Sequence, residues 1–305
     1  MTRPLPPPGA HGGDGPRMAA ALGIPESDVL DLSVSLNPRA PDVAAMVARH
    51  ATSVRSYPDS ALARAALAAA MTVDPARLVL TNGGAEAIAL VAAHIPAGSV
   101  EAPDFSLYEK HLSTVQLGAP RWRSNPNNPT GRLANARESA AVWDEAFYPL
   151  ATGCWTRGDD GVIVVGSLTK VYACPGLRIG YILAPTSDLA CAIATRQPEW
   201  SVNSIACAVL PELLAATDLR GWARSIATQR AQLEEVLRVH RLEPDPSDAN
   251  YLLVRHAPGV RTHVARHGIV VRDTGSFGIT DGVRIAVPDD AGLERLDLAL
   301  QGWDS

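Results

Sequence analysis

The alternation of short apolar runs with helical segments restricts the fold of this chain more than any other feature. RLVLTN reads as a strand, NGG as a turn, and AEAIALVAAHI as a helix with one apolar face, all within residues 78–95. A second unit begins with the buried strand of GVIVVGS (162–165), and LRIGYILA (177–184) reads as the strand that follows it. Strands that alternate with helices indicate a mostly parallel sheet with helices on both faces. We therefore predict an α/β fold with a central, mostly parallel sheet.

The end of the chain has a different pattern. Helical patterns at 205–218 and 219–240 precede three short strands, YLLVR, GIVVR and VRIAV, and a last helix near 290–302. This order indicates a smaller α+β domain. The predicted parts are an N-terminal arm with part of the small domain (1–40), a large domain (41–204) and a small C-terminal domain (205–305).

Composition narrows the partners to a small molecule. The net charge is −5, charged residues make up 19% of the chain, and no run of basic residues is present, so neither nucleic acid nor an anionic membrane is an expected partner. No stretch is long and apolar enough to predict a membrane span or signal peptide, which favours a cytoplasmic protein. The spacing of the four cysteines fits neither a zinc ribbon nor a CxxC pair, so we expect buried, reduced thiols and no metal site.

Lysine is rare in this chain. Of 27 basic residues, only Lys110 and Lys170 are lysines. A lysine amine can lose its proton and form an imine, whereas a guanidinium stays protonated. A retained lysine is therefore a candidate for covalent chemistry, although chance retention on the surface is the better explanation of Lys110.

Four segments carry groups suited to chemistry. TNGGAEAI places backbone N–H groups at a glycine turn and a helix start, where they can hold a phosphate, although such a turn is more often a plain connection. SNPNNPTG (124–131) puts Asn128 before a Pro-Thr-Gly turn, and WDEAFYPL puts Asp144 at a strand end, where a buried carboxylate needs a cationic partner. After the second buried strand, SLTKVYACPGLRIGY holds four polar side chains, Ser167, Thr169, Lys170 and Arg178.

Together these motifs resemble the class I/II aminotransferase family of fold-type I enzymes that use pyridoxal 5′-phosphate (PLP). The resemblance implies the aspartate aminotransferase-like fold. It also implies that Lys170 forms a Schiff base with PLP, that Asp144 binds the ring nitrogen, and that Asn128 donates to the phenolic oxygen. Tyr108, in DFSLYEKH, corresponds to the aromatic residue that stacks on the ring and completes the implied catalytic set, with core packing as its other explanation. The implied phosphate-binding residues are Gly84, Ala85, Ser167 and Arg178.

The same resemblance implies where a substrate binds. Arg284, in VRIAV, corresponds to the arginine that holds a substrate carboxylate, for which its planar fork is suited. Arg272, in GIVVRDTG, is a candidate for a substrate phosphate, and His11 in the N-terminal arm is a second one unless it is simply exposed. Asn37, in DLSVSLNP, is also assigned to the substrate.

The branch within the family is left open between two enzymes. HGGD (11–14) followed by LDLSVSLNPRAP (30–41) resembles threonine-phosphate decarboxylases of cobalamin biosynthesis, which makes decarboxylation of a phosphorylated amino acid the leading hypothesis. The SYPD segment (56–59) is shared with histidinol-phosphate aminotransferases, and transamination is the alternative. By this resemblance Tyr57 would reach the PLP phosphate of a neighbouring subunit in a homodimer with shared sites. A paralogue that binds PLP without turnover is a further alternative, which the intact set of motif residues disfavours.

The chain also departs from the family pattern. The stretches from Tyr108 to SNPNNPTG and from Gly131 to Asp144 are short, which predicts that about one strand and parts of helices are missing from the large domain. Phe147 stands where many aminotransferases have a tyrosine that donates to the phenolic oxygen, so Asn128 would donate alone.

Overall fold

A computed structural model describes residues 5–303 of the chain. Within this range the strands are β1 (Leu30–Leu32), β2 (Leu78–Thr81), β3 (Ala97–Val100), β4 (Thr114–Val115), β5 (Arg121–Ser124), β6 (Val142–Asp144), β7 (Ile163–Ser167), β8 (Gly180–Leu183), β9 (Tyr251–Val254), β10 (Ile269–Asp273) and β11 (Val283–Ala286). The α-helices are α1 (Gly15–Leu22), α2 (Val43–Arg49), α3 (Ala61–Met71), α4 (Gly83–His94), α5 (Leu107–His111), α6 (Tyr148–Thr152), α7 (Leu168–Val171), α8 (Ser187–Ala194), α9 (Ser204–Ala215), α10 (Leu219–Val239), α11 (Val260–Ala265) and α12 (Asp290–Leu300).

The large domain is built on a seven-stranded sheet of order β2-β8-β7-β6-β5-β3-β4. β8 is antiparallel to both of its neighbours, whereas the other pairs are parallel. Successive side chains of a strand point to opposite faces, so Val164 packs with α3 and α9 while Ile163 and Val165 pack with α4 and α8. The predicted α/β fold with helices on both faces is confirmed.

The two connections on either side of β5, residues 116–120 and 125–141, contain no helix, and the sheet is continuous across them. β4 pairs with Ala97 and Gly98 of β3, whereas β5 pairs with Ser99 and Val100 on its other side. β4 thus lies beside the first half of β3, and β5 lies beside its second half on the opposite side. Residues 116–120 can therefore join the end of β4 to the start of β5 without returning along the length of β3. Residues 125–141 connect β5 to the parallel strand β6 with no helix, although such connections usually contain one. In the described residues the seven-stranded sheet is therefore continuous across both short stretches.

The small domain has a four-stranded sheet of order β1-β10-β11-β9. β1, near the N-terminus, pairs in parallel with β10, as expected for a small domain built partly from residues 1–40, of which residues 1–4 lie outside the described range. The expected start of this domain at residue 205 is too early. α9 and the first half of α10 pack in the large-domain core, and only the second half of α10 packs in the small-domain core, which also takes in α11 and α12.

The structure also bears on the burial of the cysteines and on the prediction that no segment spans a membrane. All four cysteines are free thiols, but only Cys174 and Cys207 are buried, while Cys154 and Cys191 are exposed, so the expectation of burial is wrong for two of them. Among the helices of residues 5–303, none has the length and apolar character needed to cross a membrane.

Gly180 of β8 lets the start of α4 lie directly on the sheet. A Cβ atom there would come within 2.7 Å of the Gly166 carbonyl oxygen and the Gly83 carbonyl carbon, and within 2.8 Å of the Gly84 nitrogen. We predict that Gly180→Ala lowers the free energy of unfolding by about 1–3 kcal/mol, because backbone atoms must move to admit the methyl group. Chemical denaturation measures the change.

Gly176→Ala is the matched control. A Cβ atom at Gly176 meets nothing within 4 Å, so its unfolding free energy should stay within about 1 kcal/mol of the native value. Equal unfolding free energies for the two variants would contradict the proposed packing of α4 on β8.

Candidate active site

A cavity of about 310 Å³ lies between the large and the small sheet. Its floor is formed where β5, β6 and β7 end and α4 begins, and β10 and β11 cover it from the small domain. The C-terminal ends of parallel strands are the usual place for a ligand in an α/β fold. Ten residues predicted from the sequence line the cavity: His11, Gly84, Ala85, Asn128, Asp144, Ser167, Lys170, Arg178, Arg272 and Arg284.

The Lys170 amine is prepared for reaction by its surroundings. Burial lowers the pKa of Lys170 to about 8, with further lowering by the positive charges of Arg284 and Arg178. At pH 7 about a tenth of such an amine is neutral, against less than about a thousandth for a lysine in water. The structure thus places an amine that can attack a carbonyl compound inside the cavity.

Asp144, at the end of β6, is a buried carboxylate. Its Oδ2 accepts from the Tyr108 hydroxyl at 2.8 Å and its Oδ1 from the Ala146 N–H at 3.0 Å. Burial raises the pKa of Asp144, while these donors and the charge of Lys170 oppose the rise. A cationic ligand group at this position would compensate the carboxylate.

The structure changes the expected role of Tyr108. Its side chain is fully buried beneath the cavity, where its hydroxyl donates to Asp144, and it does not line the cavity. Phe105, which precedes α5, lines the cavity instead and meets Tyr108 edge-on at 5.8 Å between ring centroids. The sequence DFSLYEKH contains both rings, and only the point at which α5 begins decides which one faces the ligand.

A cradle for an anion forms at the start of α4. The first N–H groups of a helix have no acceptor within the helix, and Gly84 and Ala85 present theirs at the cavity. Ser167 and Thr169 add hydroxyls 2.7 Å apart, although Thr169 had no predicted site role despite its place in the SLTK motif. Arg178 adds a guanidinium from a left-handed backbone with φ of 54°, a strain that costs about 1–3 kcal/mol and is typical of functional positions.

Two arginines cover the other end of the cavity. Arg284 and Arg272 are paired neighbours on adjacent strands. Arg284 is buried, donates to Asn128 Oδ1, and lies 4.6 Å from the centre of the Tyr251 ring. Arg272 donates to the Ser276 hydroxyl at 2.7 Å and to two carbonyl oxygens of the N-terminal arm, at Gly9 and Ala10.

The HGGD arm enters the cavity because Asp31 and Ser33 hold it. Gly13 donates its N–H to Ser33 Oγ at 2.9 Å, and Gly15 donates to Asp31 at 3.1 Å. Gly12 has a φ of 78°, and a Cβ there would come within 2.7 Å of the Ser33 carbonyl oxygen, so glycine is required. His11 then lies edge-on to a cavity-lining phenylalanine, at 6.0 Å between centroids, and burial together with the Arg272 charge lowers its pKa.

Besides Tyr108, two other predicted residues lie outside the cavity. Asn37 is buried, but its amide donates to the Val171 carbonyl oxygen at 2.9 Å and accepts from the Arg39 N–H, so it supports the lysine helix and does not face a ligand. Tyr57 is 78% exposed and stacks on Trp200, with 4.6 Å between centroids. It does not reach the cavity of its own chain.

The donor set fits PLP. A neutralisable amine, a buried carboxylate, an amide donor, an aromatic wall and an anion cradle are the groups that this cofactor requires. Asn128 can supply the donor because an arginine only donates, so its Oδ1 faces Arg284 and its Nδ2 remains available. Phe147 lines the cavity but has no polar atom, in agreement with this assignment.

The comparisons with known proteins agree with this geometry. Residues 104–297 match the family model described as aminotransferase class I and II. The chain is 26% identical to histidinol-phosphate aminotransferase 1 of Thiobacillus denitrificans, over 88% of this chain and 84% of the relative. It is 27% identical to threonine-phosphate decarboxylase of Salmonella typhimurium, over 96% of both chains. That alignment runs over 353 positions, more than the 305 residues of this chain, so the relative carries segments that this chain lacks.

A solved structure shows the same fold. Histidinol-phosphate aminotransferase from Sinorhizobium meliloti, solved in complex with PLP, superposes with a TM-score of 0.84 at 20% identity. The similarity covers 98% of this chain and 95% of that one. It agrees with the two-domain arrangement that surrounds the cavity.

We predict that Lys170 reacts with an added aldehyde at a lower pH than an ordinary lysine. Freed of any cofactor, the protein is incubated with PLP between pH 6 and 10 and reduced with borohydride, and peptide mapping measures the label. Labelling of Lys170 should rise with pH and level off above about 8, because its lowered pKa makes the amine neutral there. Labelling that still rises steeply from pH 9 to 10 would contradict the lowered pKa.

Proposed function

The chain belongs to the aminotransferase class I and II family and is a PLP-dependent enzyme, and we propose that it removes CO2 from a phosphorylated amino acid such as threonine phosphate. The observation that carries this proposal is the pair of arginines beside the HGGD arm at the mouth of the cavity. A substrate with both a carboxylate and a phosphate needs more cationic groups than a simple amino acid.

The proposed roles at the cofactor follow from the contacts of each residue. When bound, PLP accepts the electron pair that a substrate Cα bond releases. Lys170 binds the cofactor covalently, and Asp144 keeps the proton on its ring nitrogen. Asn128 donates to the phenolic oxygen, and Phe105 packs against the ring in place of Tyr108. The cradle residues that hold the phosphate are Gly84, Ala85, Ser167, Thr169 and Arg178.

In the proposed substrate site the two arginines have different positions. Arg284 is close to Asn128 and therefore to the cofactor, whereas Arg272 lies at the arm, with the Phe277 ring 5.4 Å from its guanidinium carbon. We assign the substrate phosphate to Arg272, with Arg284 as its second partner. His11, with its lowered pKa, contributes a neutral hydrogen-bonding group to this end of the cavity, where the carboxylate is held more loosely.

Transamination of histidinol phosphate is the second candidate. Several relatives carry that name, among them the Thiobacillus denitrificans enzyme. The decarboxylase is favoured because its similarity extends over 96% of both chains and because the arm enters the cavity. In a transaminase Arg284 would firmly hold the carboxylate of the amino acid that exchanges its amino group, and such a firm hold opposes loss of CO2.

We also propose that the active form is a homodimer. Tyr57 and Trp200 form an aromatic pair on the surface, and Val54 and Leu62, close to Tyr57 in the sequence, are exposed at 64% and 79%. Exposed apolar patches of this kind are typical of protein interfaces. In a dimer Tyr57 would leave its own subunit and contact the cofactor phosphate of the other.

The reaction type is tested by following CO2 release and keto-product formation on threonine phosphate and histidinol phosphate. We expect CO2 from threonine phosphate and no keto product from histidinol phosphate. Keto product from histidinol phosphate without CO2 from threonine phosphate would replace the decarboxylase by the aminotransferase. Arg272→Gln should raise the KM for threonine phosphate about 10–100-fold, because it removes a charge-assisted contact to phosphate.

Arg255→Gln is the control for this substitution. Arg255 follows β9, lies outside the cavity lining and pairs with Asp245 at 2.7 Å. Its loss removes the same charge from the small domain and should leave the KM unchanged. An equal rise in KM for both variants would show that Arg272 acts only through overall charge.

A further inference from the structure

Asp104 is a buried carboxylate next to the cofactor site that no role above uses. It is 8% exposed and accepts three hydrogen bonds. Its Oδ1 accepts from the Phe105 N–H at 2.7 Å and from the Ser124 hydroxyl, and its Oδ2 accepts from the Ser124 N–H at 3.1 Å. A carboxylate is rarely buried without a partner charge, so its retention indicates a use for it.

The partners of Asp104 lead directly into the cavity. Phe105 and Ser124 both line it. Ser124 Oγ also accepts from the Asn128 N–H at 2.7 Å, and Asn128 in turn meets Arg284. Asp104 therefore contacts Phe105, the aromatic residue that lines the cavity. It also contacts Ser124, which is hydrogen-bonded to the backbone of Asn128.

Asp104 also lies close to Asp144. Ser124 and Asp144 are paired across β5 and β6, and the negative charge of Asp144 is among the causes that raise the pKa of Asp104 to about 7, after burial. The groups that face Asp104 are Asp144, Tyr108 and Tyr251 on the cavity side. On the other side Asp104 and Arg123 line an open polar cleft.

We propose that Asp104 is a positioning residue of the cofactor site, which in its ionised form holds Phe105 and, through Ser124, Asn128 in place. The ionised form accepts these contacts most strongly, because hydrogen bonds to a charged acceptor are stronger than those to a neutral one. Ser124 Oγ already accepts from Asn128, and its hydrogen then points to Asp104. A protonated Asp104 lacks the charge that strengthens its three hydrogen bonds, and the arrangement loosens.

The sign of the pH dependence follows. Below about pH 7 Asp104 carries a proton and positioning is weak, and above it the carboxylate accepts all three donors. PLP affinity should therefore rise as pH increases through about 7. Removing the carboxylate should remove the part of this rise near pH 7 and leave the part near pH 8 that Lys170 causes in every variant.

The test measures the PLP dissociation constant of the holoenzyme from pH 6 to 8.5 in the native protein, Asp104→Asn and Glu145→Gln. We expect Asp104→Asn to weaken binding on the order of tenfold at pH 8 and less than about twofold at pH 6, with no inflection near 7. Equal affinities of Asp104→Asn and the native protein at pH 8 would overturn the proposal.

Glu145→Gln is a closely matched control. Glu145 is also buried, and burial also raises its pKa to about 7, but its carboxylate accepts from the Arg157 N–H at 3.1 Å and does not line the cavity. It should keep the native affinity and the native inflection. If Glu145→Gln lost the inflection and Asp104→Asn kept it, Asp104 would not be the group that titrates.

Ser124→Ala separates positioning from folding. If Asp104 acts through Ser124, the double variant Asp104→Asn/Ser124→Ala should bind PLP no more weakly than Asp104→Asn, and additive losses would contradict the link. If Asp104→Asn does not fold, Ser124→Ala alone must weaken binding, and native affinity in that variant overturns the proposal. The inference rests on the proposed cofactor site. A native protein that binds no PLP would refute that site, whereas native-like variants refute only the role of Asp104.

Discussion

The site depends on a carboxylate and an amine that share one buried cavity. Burial raises the pKa of Asp144 and lowers that of Lys170, so the uncharged form of each group is more favoured than it is in water. Opposite pKa shifts of two groups in one cavity are typical of a functional site. A cofactor with a cationic ring nitrogen and an aldehyde satisfies both groups together, and the parallel sheet brings them together by ending β6 and β7 at the same edge.

The sequence was sufficient for the groups that lie at strand ends and helix starts. Lys170, Asp144 and Asn128 were assigned because their motifs resemble those of the aminotransferase family, and the ends of the parallel strands β5, β6 and β7 bring all three to the cavity. The choice between Phe105 and Tyr108 could not, because it depends on where a five-residue helix begins. Asn37 was misassigned for a similar reason. Its motif is beside the site, but its amide is used by the backbone of the lysine helix.

The shortened connections show which parts of the large domain the site needs. Chain length between motifs suggested a lost strand, but length alone does not reveal that β4 and β5 pair with different halves of β3. The ends of β5, β6 and β7 and the start of α4 all reach the cavity, although the connections between β4, β5 and β6 contain no helix. Asp104 links the two segments on either side of these connections, because it accepts hydrogen bonds from the Phe105 N–H and from the Ser124 N–H.

The central claim, that Lys170 binds PLP covalently, is tested most directly by the visible absorption spectrum of the purified protein. The native protein should be yellow, and Lys170→Ala should lose the absorption band of the bound cofactor. Lys110→Ala, which changes the only other lysine at an exposed position, should keep it. An unchanged band in Lys170→Ala would contradict the assignment of the cofactor to this residue.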